Sequence, residues 1–150
     1  ILTATRTSEV LKAEWSEFDL KEGLWTISAE RMKMDREHRI PLPQRAIDIV
    51  EEMQALGLQG NYVFPGTKLD SPMSNMAFTM TLRRMEVPYT AHGFRSSFRD
   101  WVAETTDYSN EMAEMALAHA VGNKVEAAYR RGDMLDRRRA MMEDWATFLA

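Results

Sequence analysis

The sequence of 150 residues contains no cysteine, and it has few glycines and prolines. Without cysteine the chain forms no disulfide and no thiolate metal site, which is the usage expected in a reducing compartment such as the cytoplasm. No stretch approaches the roughly 20 apolar residues that span a bilayer. The glycine-rich loop that cradles nucleotide phosphates is missing, and the spacing of His38, His92 and His119 matches no local metal-ligand pattern. We therefore expect a cytoplasmic protein with no membrane partner, no metal and no other cofactor.

The composition that remains is that of one globular domain. Hydrophobic residues make up 45% of the chain and charged residues 28%, and 150 residues are enough to bury a sizeable core. The net charge of −4 argues against a nucleic-acid partner, but the distribution of charge matters more than its sum. Basic residues gather in three groups: Arg31, Lys33, Arg36 and Arg39; Arg95 and Arg99; Arg130, Arg131, Arg137, Arg138 and Arg139. This grouping predicts a basic face on an acidic body.

Hydrophobic periodicity predicts a mainly helical α+β domain with one small three-stranded antiparallel sheet near its start. The predicted strands are residues 18–20, 24–28 and 38–42, with Gly23 supplying a positive φ in the first turn. Helices are predicted at residues 7–15, from Pro43 onward, and at 75–85, 90–105, 109–119 and 124–131. Ser109 is the expected N-cap of one helix, and Asp133 is the expected cap of the last helix.

Several polar side chains have spacings that suit phosphate chemistry, although each has an ordinary explanation. Arg6 and Glu9 are three residues apart on a helix and form at least an ion pair. His92 and Arg95 share one helix face, where a guanidinium can grip two phosphate oxygens. Lys33 lies in a polar connection, and its default interpretation is a solvated lysine.

His119 and Tyr129 are ten residues apart, so one unbroken helix would place them on different faces. Gly122 and Asn123 permit a turn that would bring the two side chains together. A lone tyrosine is usually half-buried packing, yet here two alanines precede it and two arginines follow it.

Taken in order, these segments resemble the catalytic domain of the tyrosine recombinases, the phage integrase family, and most of all its P4-like branch of prophage and genomic-island integrases. The matching segments are residues 3–9, Lys33 in the hairpin, the His-x-x-Arg box at residues 92–95, the Leu-x-His box at residues 117–119, and Tyr129. The resemblance runs through nearly all 150 residues. The glycine that is usual before the first arginine is replaced here by Ala4 and Thr5.

The resemblance implies a site-specific recombinase that cleaves and rejoins double-stranded DNA through a 3′-phosphotyrosyl intermediate, to integrate or excise a prophage or genomic island. It implies Tyr129 as the nucleophile, with the implied catalytic set Arg6, Lys33, His92, Arg95 and His119 and with Glu9 in support. Further basic side chains are expected to contact DNA: Arg31, Arg36, Arg99, Arg130 and Arg131. No metal and no ATP are implied.

The same resemblance suggests that residues 1–150 are one truncated catalytic domain whose core-binding domain is absent. It further implies self-association on DNA, as a tetramer joined through the C-terminal helix, and accessory DNA-bending proteins. The apolar stripe of that helix leaves two alternatives open, docking onto a neighbouring subunit or folding back onto its own core. Its members are Leu135, Met141, Met142, Trp145, Phe148 and Leu149.

Three other interpretations remain open from the sequence. The chain could be a non-catalytic DNA-binding remnant of a decayed prophage. It could belong to a type IB topoisomerase, which uses the same chemistry. It could also be a helical interaction domain, which predicts no clustering of Arg6, Lys33, Arg95 and Tyr129.

Overall fold

The computed structural model describes residues 1–68, 70–119 and 132–150, and these ranges contain six α-helices and three strands. The helices are α1 (Thr7–Leu11), α2 (Gln44–Ala55), α3 (Ala77–Arg84), α4 (Gly93–Thr105), α5 (Asn110–Ala116) and α6 (Leu135–Phe148). The strands are β1 (Phe18–Asp19), β2 (Leu24–Ile27) and β3 (His38–Pro41). The predicted helix at residues 124–131 lies outside the described residues. Within the described ranges no helix combines the length and apolar character of a membrane span.

The three strands form one antiparallel sheet in the order β1-β2-β3, as the sequence predicted. Trp25 lies opposite Phe18 on one side and Ile40 on the other. The first turn carries Gly23 with a φ of 57°, and the Asp19 carboxylate accepts two backbone N–H groups within it. Because side chains alternate along a strand, Trp25 and Ile27 are buried together on one face.

The sheet face, helix α2 and the start of the chain enclose the first of two hydrophobic cores. Trp25, Ile27 and Ile40 come from the sheet, and Ala46 and Val50 come from the apolar side of α2. The apolar residues of α2 recur at helical spacing, so one face covers the sheet and the other faces solvent.

The second core is helical and aromatic. Phe98 and Trp101 of α4 meet Trp145 of α6, with ring centroids 5.4 Å and 5.2 Å from that of Trp145. Met112 of α5 and Met141 of α6 fill the remaining space, a role that suits a flexible side chain. Aromatic pairs of this kind contribute about 0.5–1.5 kcal/mol each beyond their buried area.

Helix α6 packs onto its own core, which decides between the two alternatives for the three buried residues of its apolar stripe. Met141, Met142 and Trp145 are fully buried within the chain, whereas Phe148 stays 60% exposed at the helix end. The buried Arg138 also ties α6 to the sheet, because it donates to the Arg39 carbonyl oxygen at 2.8 Å.

Helix α1 is shorter than predicted, and the reason lies elsewhere in the chain. The prediction of a helix over residues 7–15 is wrong beyond Leu11. The backbone turns there to pair with residues 61–63: Trp15 donates to the Asn61 carbonyl oxygen, and Val63 donates to that of Ala13. A long-range pairing has replaced the last helical turn.

The two predicted capping residues lie at the N-terminal ends of α5 and α6. The Ser109 hydroxyl accepts the backbone N–H of Met112 at 3.3 Å and caps α5. Asp133 accepts the N–H of Leu135 at 3.2 Å, although the helix boundary falls at Met134.

The two cores meet along a seam formed by residues 1–5 and 117–119. Ala4 and Leu117 belong to the helical core, while Leu2 and Ala118 pack against the sheet core. Side chains that reach this seam are therefore placed by both halves of the molecule.

The buried His38, at the start of β3, makes the stability of the fold depend on pH. Burial, with further lowering by Arg138 and Arg6, brings the pKa of His38 to about 4, although Glu9 and a backbone hydrogen bond at Ala116 act in the opposite direction. An unfolded histidine has a pKa of about 6.5, so the unfolded chain takes up the proton first as pH falls. The contribution of neutral His38 to the free energy of unfolding is thus complete above pH 6.5, and it is lost as the pH falls from 6.5 to 4.

We expect the free energy of unfolding to fall by about 3 kcal/mol across this window because of His38. Urea unfolding at a series of pH values measures it. His38→Gln should remove the part of the slope between pH 6.5 and 4 that His38 contributes, and the same change at the exposed His92 is the matched control. An unchanged slope in His38→Gln would contradict the assignment.

Candidate active site

Helix α5 ends in a turn that brings His119 back over Glu114. The N–H of His119 donates to the Glu114 carbonyl oxygen at 2.9 Å, and the N–H of Ala118 donates to that of Met115 at 3.1 Å. This pair of bonds is a Schellman motif, which needs a left-handed residue after the helix. Ala118 takes that position with a φ of 50°, where glycine is usual. The strained turn aims both the Ala118 carbonyl and the His119 ring at the seam.

The His119 side chain is held by a carboxylate on one edge and faces a guanidinium on the other. Its Nδ1 lies 2.6 Å from Glu114 Oε2, and its Nε2 lies 3.1 Å from Arg95 Nη2. The second Glu114 oxygen accepts from Arg99 Nε at 2.7 Å. Glu114 therefore joins Arg99 and His119 in one chain of charge-assisted hydrogen bonds.

Arg95 is the buried centre of the site. It lies on α4 and is 7% exposed. Its Nη1 donates to the Ala4 carbonyl oxygen at 2.6 Å, and its Nη2 donates to that of Leu117 at 2.7 Å. Ala4 also has a positive φ, 49°, at the place where the family resemblance leads one to expect glycine. Three chain segments thus converge on one rigid fork.

Arg6 lies at the start of α1 and is held by Glu9. Glu9 accepts the Arg6 side chain at 2.8 Å through Oε1 and the Arg6 backbone N–H at 2.7 Å through Oε2, as the glutamate of a capping box does. The other end of the guanidinium donates to the Ala118 carbonyl oxygen at 3.3 Å. Arg6 and Arg95 therefore grip adjacent carbonyls of the same turn.

The electrostatics of this cluster favour an anion. Burial and the neighbouring Arg6 charge both lower the pKa of Arg95 from its ordinary value, while Glu9 and Glu114 oppose the shift. For Glu114, burial raises the pKa, but hydrogen bonds from Arg99 and His119 outweigh it, so the pKa lies below its ordinary value. Two guanidinium groups that repel each other at short range gain most from a shared negative ligand.

The other predicted site residues that the structure describes lie outside the hydrogen-bonded cluster of Arg6, Arg95 and His119. His92 is exposed at the N-terminus of α4, one turn before Arg95. Lys33 and Arg36 are exposed in the connection before β3, and their side chains form no hydrogen bond or ion pair with another described residue. Arg31 is ion-paired with Glu17 and donates to the Glu9 carbonyl oxygen at 3.0 Å. Its contact with DNA, like that of Arg36 and Arg99, stays a prediction.

Tyr129, Arg130 and Arg131 lie outside the described residues. In the chain, Tyr129 is ten residues after His119 and four before Asp133. Its predicted role as nucleophile is therefore argued from sequence and chemistry alone.

The described residues contain no group of three or more histidines, aspartates and glutamates arranged to hold a metal ion. The polar side chains that do converge are hydrogen-bond donors and the carboxylates that orient them. A set of this kind has the donors that an anionic ester requires.

Glu114 was missed by the sequence analysis. Its signal was the position five residues before His119, a spacing that does not bring side chains together on a regular helix. Recognising it requires the left-handed turn at Ala118, and alanine gives no hint of such a turn.

The sequence of this chain is similar to a known protein family and to individual members of it. The model of the phage integrase family matches residues 1–135. The chain belongs to the phage integrase family. Prophage integrase IntA of Escherichia coli strain K12 is 37% identical over 149 residues, covering 97% of this chain and 36% of that protein. The integrase of Enterobacteria phage P4 is 34% identical over 170 residues, covering 99% and 38%. This integrase-family chain thus spans little more than a third of these relatives, and the predicted resemblance is confirmed.

A solved structure shares the fold. The XerA recombinase superposes with a TM-score of 0.67 at 16% identity, over 91% of this chain and 52% of that one. The predicted fold of a mainly helical recombinase domain with a small antiparallel sheet is therefore confirmed.

The strained turn gives a prediction about stability. Ala118→Gly should stabilise the protein by about 1 kcal/mol, because glycine adopts the left-handed conformation without the Cβ clash that alanine suffers. Chemical denaturation measures the change. The matched control is Ala103→Gly, an exposed position within α4, where glycine should cost about 1 kcal/mol. A loss of stability in Ala118→Gly would contradict the strain argument.

Proposed function

We propose that this chain is the catalytic part of a site-specific DNA recombinase of the integrase type, which breaks and rejoins DNA through a tyrosine. The observation that supports it most is the convergence of Arg6, Arg95 and His119 on the turn at residues 117–119. These side chains come from three separate parts of the sequence. A solvated surface would not bring them together with a buried arginine at the centre.

The proposed chemistry is transesterification at a DNA phosphate. The phenol oxygen of Tyr129 forms a bond to phosphorus as the bond from phosphorus to the 5′ oxygen breaks, which leaves a 3′-phosphotyrosyl ester. The phenol proton passes to His92, and the departing 5′ oxygen takes a proton from Lys33. Attack by a 5′ hydroxyl of a partner duplex reverses the step. The ester bond energy is retained, so no nucleotide is consumed.

Arg6 and Arg95 act on the oxygens of the phosphate that do not react. Negative charge grows on these oxygens during attack, and fixed donors aimed at them contribute roughly 2–4 kcal/mol each. Arg6 is 23% exposed and keeps N–H groups beyond those bonded to Glu9 and Ala118. Since an arginine carries five N–H donors, both guanidinium groups can hold the turn and the phosphate at once.

Glu9 acts on Arg6 and not on the substrate. Its two oxygens are both occupied, by the side chain and the backbone N–H of Arg6. The carboxylate is 5% exposed and lies beneath the guanidinium. We therefore assign to Glu9 the role of orienting the Arg6 guanidinium, which with Arg95 forms the clamp on the phosphate.

The partners follow from this chemistry. We propose double-stranded DNA with a specific attachment sequence as the substrate, in the cytoplasm, with Arg36, Arg130 and Arg131 as candidates for phosphate contacts. Assembly on DNA as a tetramer, assisted by DNA-bending proteins, belongs to the same proposal. The body of α6 is engaged in its own core, so a contact between subunits through this helix would use its exposed end at Phe148 and Leu149.

The proposal is tested by covalent capture with the natural full-length protein. The protein is incubated with sheared DNA of its host and denatured, and the DNA that remains attached is sequenced. Recovery of one recurring sequence supports a recombinase, and that sequence then supplies a nicked duplex for rate measurements. Binding without attachment would indicate a non-catalytic remnant. Relaxation of supercoiled plasmid without sequence preference would indicate a topoisomerase.

Tyr129→Phe should abolish the covalent adduct on the nicked duplex, because phenylalanine lacks the attacking oxygen. Denaturing gel electrophoresis measures it, and the folded fraction should stay unchanged. Tyr89→Phe is the control, since Tyr89 is 64% exposed on the surface. Adduct formation by the Tyr129 variant would assign the nucleophile to another residue.

Arg6→Lys should lower the rate of adduct formation by about 100-fold or more, because an ammonium cannot make the two-pronged contact that a guanidinium makes. The rate is read under single-turnover conditions. Arg45→Lys on α2 is the matched control, since Arg45 pairs with Glu52 on the exposed surface. An Arg6→Lys rate within twofold of the native rate would contradict the clamp role.

A further inference from the structure

Glu114 contacts His119 directly, although it is not one of the residues that the family resemblance implies for the catalytic set. The two residues are bonded twice: the His119 N–H reaches the Glu114 carbonyl oxygen, and the His119 ring reaches Glu114 Oε2 at 2.6 Å. The double attachment is a product of the Schellman turn, which folds residue 119 back onto the last turn of α5. The ring therefore has a defined orientation before any substrate binds.

The proton positions on His119 follow from its two neighbours. A guanidinium has donors and no acceptor, so the Nε2 atom that lies 3.1 Å from Arg95 Nη2 must accept. A neutral imidazole that accepts at Nε2 carries its proton at Nδ1, and Nδ1 points at the Glu114 carboxylate. In the free protein the ring is thus held in the Nδ1-protonated form.

This form cannot donate a hydrogen bond to a phosphate oxygen from Nε2. For that it needs a second proton, and the ring then becomes an imidazolium beside Arg95, with Arg6 close by on the same turn. Two positive neighbours oppose this charge, and among residues 1–68, 70–119 and 132–150 Glu114 is the carboxylate in direct contact that favours it. Arg99, from α4, holds the opposite oxygen of Glu114 and keeps the carboxylate ionised and in place.

We propose that Glu114 is a positioning residue for DNA cleavage, which orients the His119 ring and stabilises its doubly protonated form, so that Nε2 donates to the phosphate in attack. Arg99 supports Glu114 in this role and so contributes through the carboxylate. The inference rests on the proposed recombinase function, and it adds a carboxylate–histidine pair to that site.

A purely structural ion pair between Arg99 and Glu114 makes different predictions. In that case loss of Glu114 would weaken the packing of α5 on α4 and slow cleavage by the same factor at every pH. A positioning role instead ties the effect to the protonation of one ring, and this shows as a change in the shape of the pH profile.

The first test needs no DNA. Histidine ring signals of the isotope-labelled chain are followed by NMR against pH, with His119 assigned from the spectrum of His119→Asn. Glu114→Gln should lower the pH at which the His119 ring gains its second proton, because the charge of the carboxylate is lost. The matched control is Glu104→Gln, an exposed residue of α4, which should leave that pH unchanged. Equal titration in native protein and Glu114→Gln would overturn the proposal.

The second test uses the nicked duplex recovered by covalent capture. Glu114→Gln should slow adduct formation by about 10- to 100-fold near neutral pH, which is a smaller effect than the loss of His119 itself. In the profile of rate against pH for this variant, the limb that falls at high pH should move to lower pH. Glu114→Asp keeps the charge and should restore the position of that limb. A slowing by one constant factor across the pH range would assign Glu114 a structural role and overturn the proposal.

The two tests also separate this inference from the proposed function. If the native protein forms no adduct on any captured sequence, the recombinase proposal fails, and the NMR titration still decides whether Glu114 controls the protonation of His119. If adducts form and Glu114→Gln matches native in both tests, the recombinase proposal stands and the inference fails.

Discussion

The site depends on one buried guanidinium. Arg95 donates to the carbonyl of Ala4, to that of Leu117 and toward the His119 ring, and in doing so it joins the start of the chain, α4 and the end of α5. A buried charge is costly unless it is hydrogen-bonded. Here two main-chain oxygens accept from Arg95 and support the seam between the two cores, and under the proposed function its remaining N–H groups bind the phosphate.

Much of the fold was predictable because its signals are local. The pattern of residues 24–28 predicted strand β2, Gly23 marked the hairpin turn, and Ser109 marked the start of α5. Motif order likewise identified side chains that the structure brings together, Arg6 and Glu9 with Arg95 and His119. Their spacing in the chain carries no geometric information, so here the family resemblance, and not periodicity, supplied the prediction.

The features that were not predictable arise from contacts between distant segments. Helix α1 ends early because residues 61–63 take its backbone partners. Ala118 adopts a conformation that suits glycine, and no local propensity predicts this for alanine. Without that turn Glu114 and His119 would lie on different sides of α5. Arg99 was expected from the sequence to contact DNA, and its ion pair with Glu114 of the neighbouring helix α5 was not predicted.

The hydrogen bonds of Arg95 and Arg138 to carbonyl oxygens determine how the site responds to changes in ionic strength. Mobile ions screen charges at the surface within about 10 Å at 0.1 M salt, but they act weakly on buried bonds between a cation and a main-chain dipole. Both arginines are buried and donate to backbone carbonyls. Concentrated salt therefore screens exposed arginines such as Arg36, and under the proposed function it would displace DNA through counterion release. The buried contacts of Arg95 and Arg138 would stay formed under the same conditions.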